Sequence, residues 1–377
     1  MAGPPSGDRI IAVGTVLEDR GAGIAHPPFS EFAAHLFDRA ARAPTQALAA
    51  TRLRVAGLDL RLVSEDRGLL DAYAGRFAGT AGHSHTASSG RLDVALHGLA
   101  ALRLPSMPSW EPPAGETGAD ARRDDGFLSV SGGGYDASYQ AAPPVWTLFD
   151  RASGRALQLA GQADALPPWD IGAPCRLPIH HALRRSGWRL AHAGTLGRDG
   201  TGVLIAGLGG AGKSGTVLAG ALDGLTTVGD DYVALGLEAD RVVARAVYSH
   251  VKQDAAGIDR QGLGDQLGPG DRPNWQGKYE LPLAAIAPGA LVEALSIRAV
   301  VLPRRGPGEG TGWRRCGALE AMRALGLSSL TQLPETLREG FADYARLLRR
   351  LPAFRLDLGS APAGVAEAVS RLIEAVR

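Results

Sequence analysis

The run Gly202-Val203-Leu204-Ile205-Ala206-Gly207-Leu208-Gly209-Gly210-Ala211-Gly212-Lys213-Ser214 decides how this chain is read. Residues 207–214 form a complete G-x-x-x-x-G-K-[ST] loop. The five residues before it are apolar and partly β-branched, so they predict a buried strand. Ser214 to Leu222 is rich in Ala, Leu and Gly, lacks Pro and predicts a short helix. Strand, loop and helix in that order are the setting in which such a loop cradles phosphate. Glycine lets the backbone approach an anion closely, and the helix N-terminus adds partial positive charge. The expected nucleotide contacts are Gly207, Gly209, Gly210, Ala211, Gly212, Lys213, Ser214 and Gly215. Lys213 should reach the β- and γ-phosphates of ATP, and Ser214 should offer its hydroxyl to Mg²⁺.

Soon after that helix the chain reads Gly229-Asp230-Asp231-Tyr232. Leu225 to Val228 is β-prone, which puts the two carboxylates at a strand end near the loop. Neighbours on a strand face opposite ways, so the aspartates should have different jobs. An Asp-Asp turn closing a strand is the ordinary alternative.

Lysine is scarce. Of 40 Lys plus Arg, three are lysine: Lys213, Lys252 and Lys278. Ammonium and guanidinium groups are not interchangeable, which singles these positions out. Lys252, Lys278 and Arg245 are candidates for contact with phosphate or substrate; an exposed strand face is the plainer reading for Arg245 and Lys252, and codon bias with accidental survivors the plainer reading for Lys252 and Lys278. Residues 257–282, dense in Gly, Pro, Asp and Asn, predict a long loop serving as a flap.

The stretch from Leu190-Ala191-His192-Ala193-Gly194 through the loop to Gly229-Asp230-Asp231-Tyr232-Val233 resembles the HPr kinase/phosphorylase family. It is most similar to the HPr kinase-related proteins of peptide-tailoring gene clusters, including lasso-peptide precursor kinases. The resemblance spans about residues 165–300. It implies an α/β fold with a phosphate-loop kinase core of the HPr kinase/PEP carboxykinase type, use of ATP and Mg²⁺, and transfer to a serine hydroxyl. Carried over by position, Asp230 is the general acid/base, Asp231 the neighbouring acid and His192 the histidine beside them. Lys213 completes the catalytic set, and Ser214 with Asp231 the metal set. Gly215 departs from the glutamate usual in the bifunctional enzymes, which removes the ground for expecting the reverse phosphorylase reaction. The acceptor expected is a precursor peptide. A small-molecule alcohol kinase and a non-kinase ATP-binding regulator stand as alternatives.

Length and composition frame this. The chain has 377 residues and a net charge of +1, so no broad field draws nucleic acid or anionic lipid. Cys175 and Cys316 match no metal or disulfide spacing. The first residues lack a signal-peptide pattern, and no uncharged apolar run reaches membrane length. These features and ATP use predict a cytoplasmic protein; self-association stays open. Residues 1–165 are expected to form an α+β domain that helps recognise the acceptor, and 166–377 the catalytic domain. Within the first, Arg52–Val63 predicts a strand or a tight hairpin, Ser64-Glu65-Asp66 a cap before a helix, Arg91–Leu99 a strand, and Val145–Phe149 with Arg155–Ala160 a hairpin. Residues 105–126 predict a surface loop or disordered insert. Near the C-terminus, Ile297–Pro303 and Gly312–Arg315 predict strands, and Leu319–Leu325, Pro334–Leu348 and Gly364–Val376 helices. The pairs His83/His85 and His180/His181 lack zinc spacing and are read as surface or packing groups.

Overall fold

The computed structural model describes residues 27–44, 48–78, 90–111, 119–124, 127–306, 308, 310–333 and 337–377. The fold is α/β, built on two large sheets and one small ribbon. The His83/His85 pair lies outside the described residues.

The first sheet collects the N-terminal half. Helix α1 (Phe29–Ala41) precedes the hairpin β1 (Ala49–Val55) and β2 (Leu58–Ser64). Asp66 then caps α2 (Arg67–Ala74), its Oδ1 accepting the Leu69 amide at 3.0 Å, which satisfies one of the unpaired donors of the first turn. The remaining strands are β3 (Gly90–Gly98), β4 (Ala119–Asp124), β5 (Phe127–Gly132), β6 (Tyr135–Ala141), β7 (Pro144–Asp150) and β8 (Arg155–Ala160). Their spatial order is β1-β2-β3-β8-β7-β6-β5-β4. Both faces are covered, and strand alternation divides the side chains. Trp146, Leu148, Leu157 and Leu159 pack against Phe32, Leu36 and their neighbours on α1. Val145, Phe149, Ala156 and Ala160 turn to the opposite core.

One expectation fails here. Of the segment 105–126, residues 112–118, 125 and 126 lie outside the described residues; in the rest, Trp110 is buried and donates to the Pro27 carbonyl at 2.9 Å, and 119–124 is the edge strand β4. Its pairing to β5 is a tertiary event that the polar sequence does not signal.

Helices α3 (Pro168–Gly172) and α4 (Arg176–Arg185) lead to the second sheet. Its first strands are β9 (Arg189–Ala191), β10 (Gly194–Arg198) and β11 (Thr201–Ile205), followed by α5 (Lys213–Leu222), β12 (Val233–Glu238) and β13 (Arg241–Arg245). The ribbon of β14 (His250–Asp254) and β15 (Lys278–Pro282) encloses α6 (Ala255–Arg260). After α7 (Leu283–Ile286), the long β16 (Ala294–Arg305) crosses the sheet. The chain ends with β17 (Gly312–Cys316), α8 (Ala318–Leu330), α9 (Leu337–Leu348), β18 (Ala353–Leu358) and α10 (Pro362–Ala375). The order is β10-β11-β16-β13-β12-β9, with β18 parallel to β16 and β17 beyond it. Val203 and Ile205 pack under α5 and α10, while Leu204 faces the core beneath α8 and α9.

The expected flap at 257–282 is structured. It holds most of α6, a 3₁₀ turn at Gly264–Gln266 and all of β15, and Asn274 fixes its last turn by donating to Glu280 Oε1 at 2.8 Å. The two sheets are not separate bodies. The Ala56 amide donates to Ala246 at 3.1 Å, Phe77 stacks on Tyr248, and a continuous core runs from β2 and β3 through α4 to Tyr232 and Val247. No described helix is long and apolar enough to cross a membrane.

Candidate active site

The phosphate loop joins the end of β11 to the start of α5, as its sequence requires. Gly210 and Gly212 have φ of 77° and 101°, in the left-handed region where side chains are strained. A Cβ at Gly212 would also meet Leu358 Cδ1 at 2.6 Å, while Gly209 and Gly210 face open space. Lys213 is buried, and its ammonium folds back on the loop, donating to the carbonyls of Gly207 at 2.8 Å and Leu208 at 3.3 Å. Burial lowers its pKa; Asp230 and Asp231 oppose that shift, and the charge of Lys278 adds to it. Gly215 leaves room for the Gln253 amide, 3.5 Å from where its Cβ would lie, and the Gln261 side chain donates to its carbonyl at 3.2 Å.

The two aspartates diverge. Asp230 is wholly buried, and neither carboxylate oxygen has a hydrogen-bond partner. Burial, then the charge of Asp231, raises its pKa; the Ser214 hydroxyl and Lys213 work against that rise without reaching bonding geometry. Asp231, at φ 72°, turns the other way and lines the main cavity. Its Oδ1 lies 3.0 Å from His192 Nε2, and its Oδ2 accepts from Lys252 Nζ at 2.8 Å. Burial opposes its ionisation, but the Lys252 ammonium and the His192 imidazole outweigh it and hold the carboxyl well below the ordinary range. The two carboxylates therefore differ in place. Asp230, expected as the base, sits sealed beside Ser214 and Lys213, and Asp231 is the carboxylate that meets the cavity.

A buried carboxylate with no partner next to a loop serine is costly unless something cationic completes it. That is a fit for Mg²⁺, which takes one or two protein oxygens and keeps phosphate and water for the rest. The protein pair suited to it is Ser214 with Asp230, in place of the Ser214–Asp231 pair expected.

His192 is held from behind by residues that sequence reasoning missed. Its amide donates to Ser329 Oγ at 3.0 Å, and Nδ1 lies 2.7 Å from both Ser328 Oγ and Gln332 Nε2. Arg176 donates to Tyr232 Oη at 2.9 Å, and that hydroxyl donates to Gln332 Oε1. With the Gln332 amide so oriented, its NH₂ donates to Nδ1, leaving Nε2–H to point at Asp231. No local signal could have found Ser328, Ser329 and Gln332, which lie 136–140 positions from His192.

Lys213, Lys252 and Lys278, all of the chain's lysines, line one cavity of about 1920 Å³ with the loop, His192 and Asp231. Arg245 does not. It pairs with Glu238 at 2.6 Å and lies 4.4 Å over the Trp188 ring, facing the N-terminal hairpin, which corrects its expected phosphate or substrate role. Trp169 and Trp275, 5.4 Å apart edge to face, also line the cavity. His180 and His181 are buried in α4, and no group of three or more His, Cys, Asp or Glu suited to a metal occurs among the described residues.

No protein-family model matches the chain, and no curated protein matches it in sequence. Among solved structures it is similar to the Hpr(Ser) kinase/phosphatase from Coxiella burnetii, at 14% identity over 49% of this chain and 90% of that one, with a TM-score of 0.29. A likeness of that degree carries no argument, and the α/β class rests on the strand order itself.

Proposed function

We propose that this chain is an ATP-dependent kinase that phosphorylates a serine hydroxyl, within the kinase class that the sequence resemblance suggests. One observation carries the reading: a phosphate loop with its lysine and an ionised carboxylate gripped by Lys252 and His192 open into the same cavity. The loop amides and Lys213 hold the phosphates of ATP. Ser214 and Asp230 would hold Mg²⁺, which when bound would supply charge neutralisation on the phosphate oxygens. Asp231 accepts the proton of the incoming alcohol. The alcohol oxygen forms its bond to the γ-phosphorus, the bond from that phosphorus to the β–γ bridging oxygen breaks, and ADP leaves with the electron pair. Positioning and charge matter more than base strength in a loose transition state, which suits a carboxylate held by Lys252 and His192. The peptide acceptor of a tailoring pathway, in a cytoplasmic setting that supplies ATP, belongs to this same proposal.

The test is incubation with Mg²⁺, ATP and serine-containing peptides, read by mass spectrometry. A gain of one phosphate on the peptide, abolished by Asp231→Asn, supports the reading. ADP release with no phosphorylated acceptor would instead favour a nucleotide-hydrolysing regulator.

A further inference from the structure

Behind Asp231 runs a line of polar groups that carries a direction. Arg176 Nη1 donates to Tyr232 Oη at 2.9 Å, and that hydroxyl donates to Gln332 Oε1. Gln332 Nε2 lies 2.7 Å from His192 Nδ1, and His192 Nε2 lies 3.0 Å from Asp231 Oδ1. The two ends allow one kind of bond each. A guanidinium only donates, and an ionised carboxylate only accepts. The phenol, carboxamide and imidazole between them can each be turned either way. Arg176 occupies a lone pair of the Tyr232 oxygen, so the phenolic hydrogen is sent to Gln332. Tyr232 is buried, and burial raises its pKa against the pull of Arg176, so that hydrogen stays on the oxygen. Gln332 Oε1 then accepts and its NH₂ is left for His192. Nδ1 must accept in turn, and the proton of the neutral ring sits on Nε2 against Asp231.

The opposite arrangement is within reach. The Ser328 carbonyl lies 3.3 Å from His192 Nδ1 and 3.0 Å from Gln332 Nε2, so it can take a hydrogen from either. Turned over, the Gln332 amide would set its oxygen against Nδ1 and the ring would carry its proton there. A bare Nε2 lone pair would then face the Asp231 carboxylate, which would keep Lys252 and lose its second donor. We propose that Tyr232 and Arg176 are positioning residues that fix the tautomer of His192 and, through it, the direction of the Asp231 carboxylate. The effect on transfer rests on the kinase reading; the tautomer does not. Arg176 opens α4, which packs on β3 and β7, so the first sheet supports the site through this residue.

The test uses the full chain labelled with ¹⁵N at histidine, the His192 ring being assigned by its absence in His192→Gln. Long-range ¹H–¹⁵N correlation near neutral pH reads which ring nitrogen holds the hydrogen. The native ring should be the Nε2–H tautomer. Tyr232→Phe keeps the ring that lies 5.3 Å from the His192 ring and 5.6 Å from the Arg176 guanidinium, and deletes only the hydroxyl. In that variant the Nδ1–H form should appear. Gln332→Glu, which sets an acceptor against Nδ1, should bring a hydrogen there as well. A native ring that is Nδ1–H or doubly protonated, or variant rings indistinguishable from the native one, would overturn the proposal. Transfer from ATP is measured separately. Tyr232→Phe should lower kcat about tenfold with KM for ATP unchanged. Combined with Gln332→Leu it should cost no more than Gln332→Leu alone, because both act through one ring. A native kcat in Tyr232→Phe, or losses that add, would also overturn it. If the native chain phosphorylates no acceptor, the kinase reading falls, and the tautomer measurement still decides the relay.

Discussion

Asp230 and Asp231 are adjacent in sequence and opposite in circumstance, and their substitutions should separate accordingly. Asp231→Asn removes the charge that Lys252 and His192 surround, so phosphoryl transfer should fall by about 10²-fold or more with ATP affinity retained. Single-turnover transfer at the native rate would dismiss Asp231 as proton acceptor. Asp230→Asn should do the opposite to the protein without metal. It deletes a buried carboxylate that has no hydrogen-bond partner, so thermal stability should rise, by about 1–3 kcal/mol. The same change should raise the Mg²⁺ concentration needed for turnover. A lower melting temperature combined with unaltered Mg²⁺ dependence would reject the metal assignment.

Among the elements, α8 is the one whose contribution is least visible locally. Its end and the following turn bring Ser328, Ser329 and Gln332 against His192, and Gln332 also accepts from Tyr232. Gln332→Leu should free the imidazole to rotate and change tautomer, lowering kcat about tenfold while leaving KM for ATP unchanged. A loss confined to KM would mean that α8 shapes binding and not the orientation of His192. The close pack of β10 on α5 is a second element-scale device. At Gly194 a Cβ would stand 2.5 Å from Val217 Cγ2 and 3.2 Å from Asp230 Oδ1, so Gly194→Ala should cost about 1–3 kcal/mol through overpacking, measured by chemical denaturation.

At the scale of the molecule, the joint between the sheets contains a buried acid. Asp170 on α3 accepts from Gln158 of β8 at 3.2 Å, and burial pushes its carboxyl up to about 6, with Arg176 opposing. A raised carboxyl stabilises the fold while it is protonated. Its contribution is complete below the unfolded value of 3.8 and is lost as pH rises through about 6. At pH 7.5, Asp170→Asn should therefore stabilise the protein by about 1–3 kcal/mol, and the advantage should vanish near pH 4. Melting curves of both proteins across that window decide it, since an advantage independent of pH would point to packing instead of titration.

The local sequence determined the parts whose physics is local. The phosphate loop with its strand and helix, the Asp66 cap and the hairpin of β1 and β2 follow from glycine freedom, side-chain capping and alternation, all acting over a few residues. The rarity of lysine marked three positions before any coordinate did, because arginine is the default cation of this chain. Only the tertiary structure decided which aspartate faces the cavity: one left-handed residue at 231 turns the pair, and strand periodicity assumes no such twist. It also decided that Arg245 answers to Glu238 and Trp188, that α8 holds His192, and that β4 is a strand. Each depends on a surface supplied by residues distant along the chain, and burial and charge pairing act on proximity in space, not on sequence order.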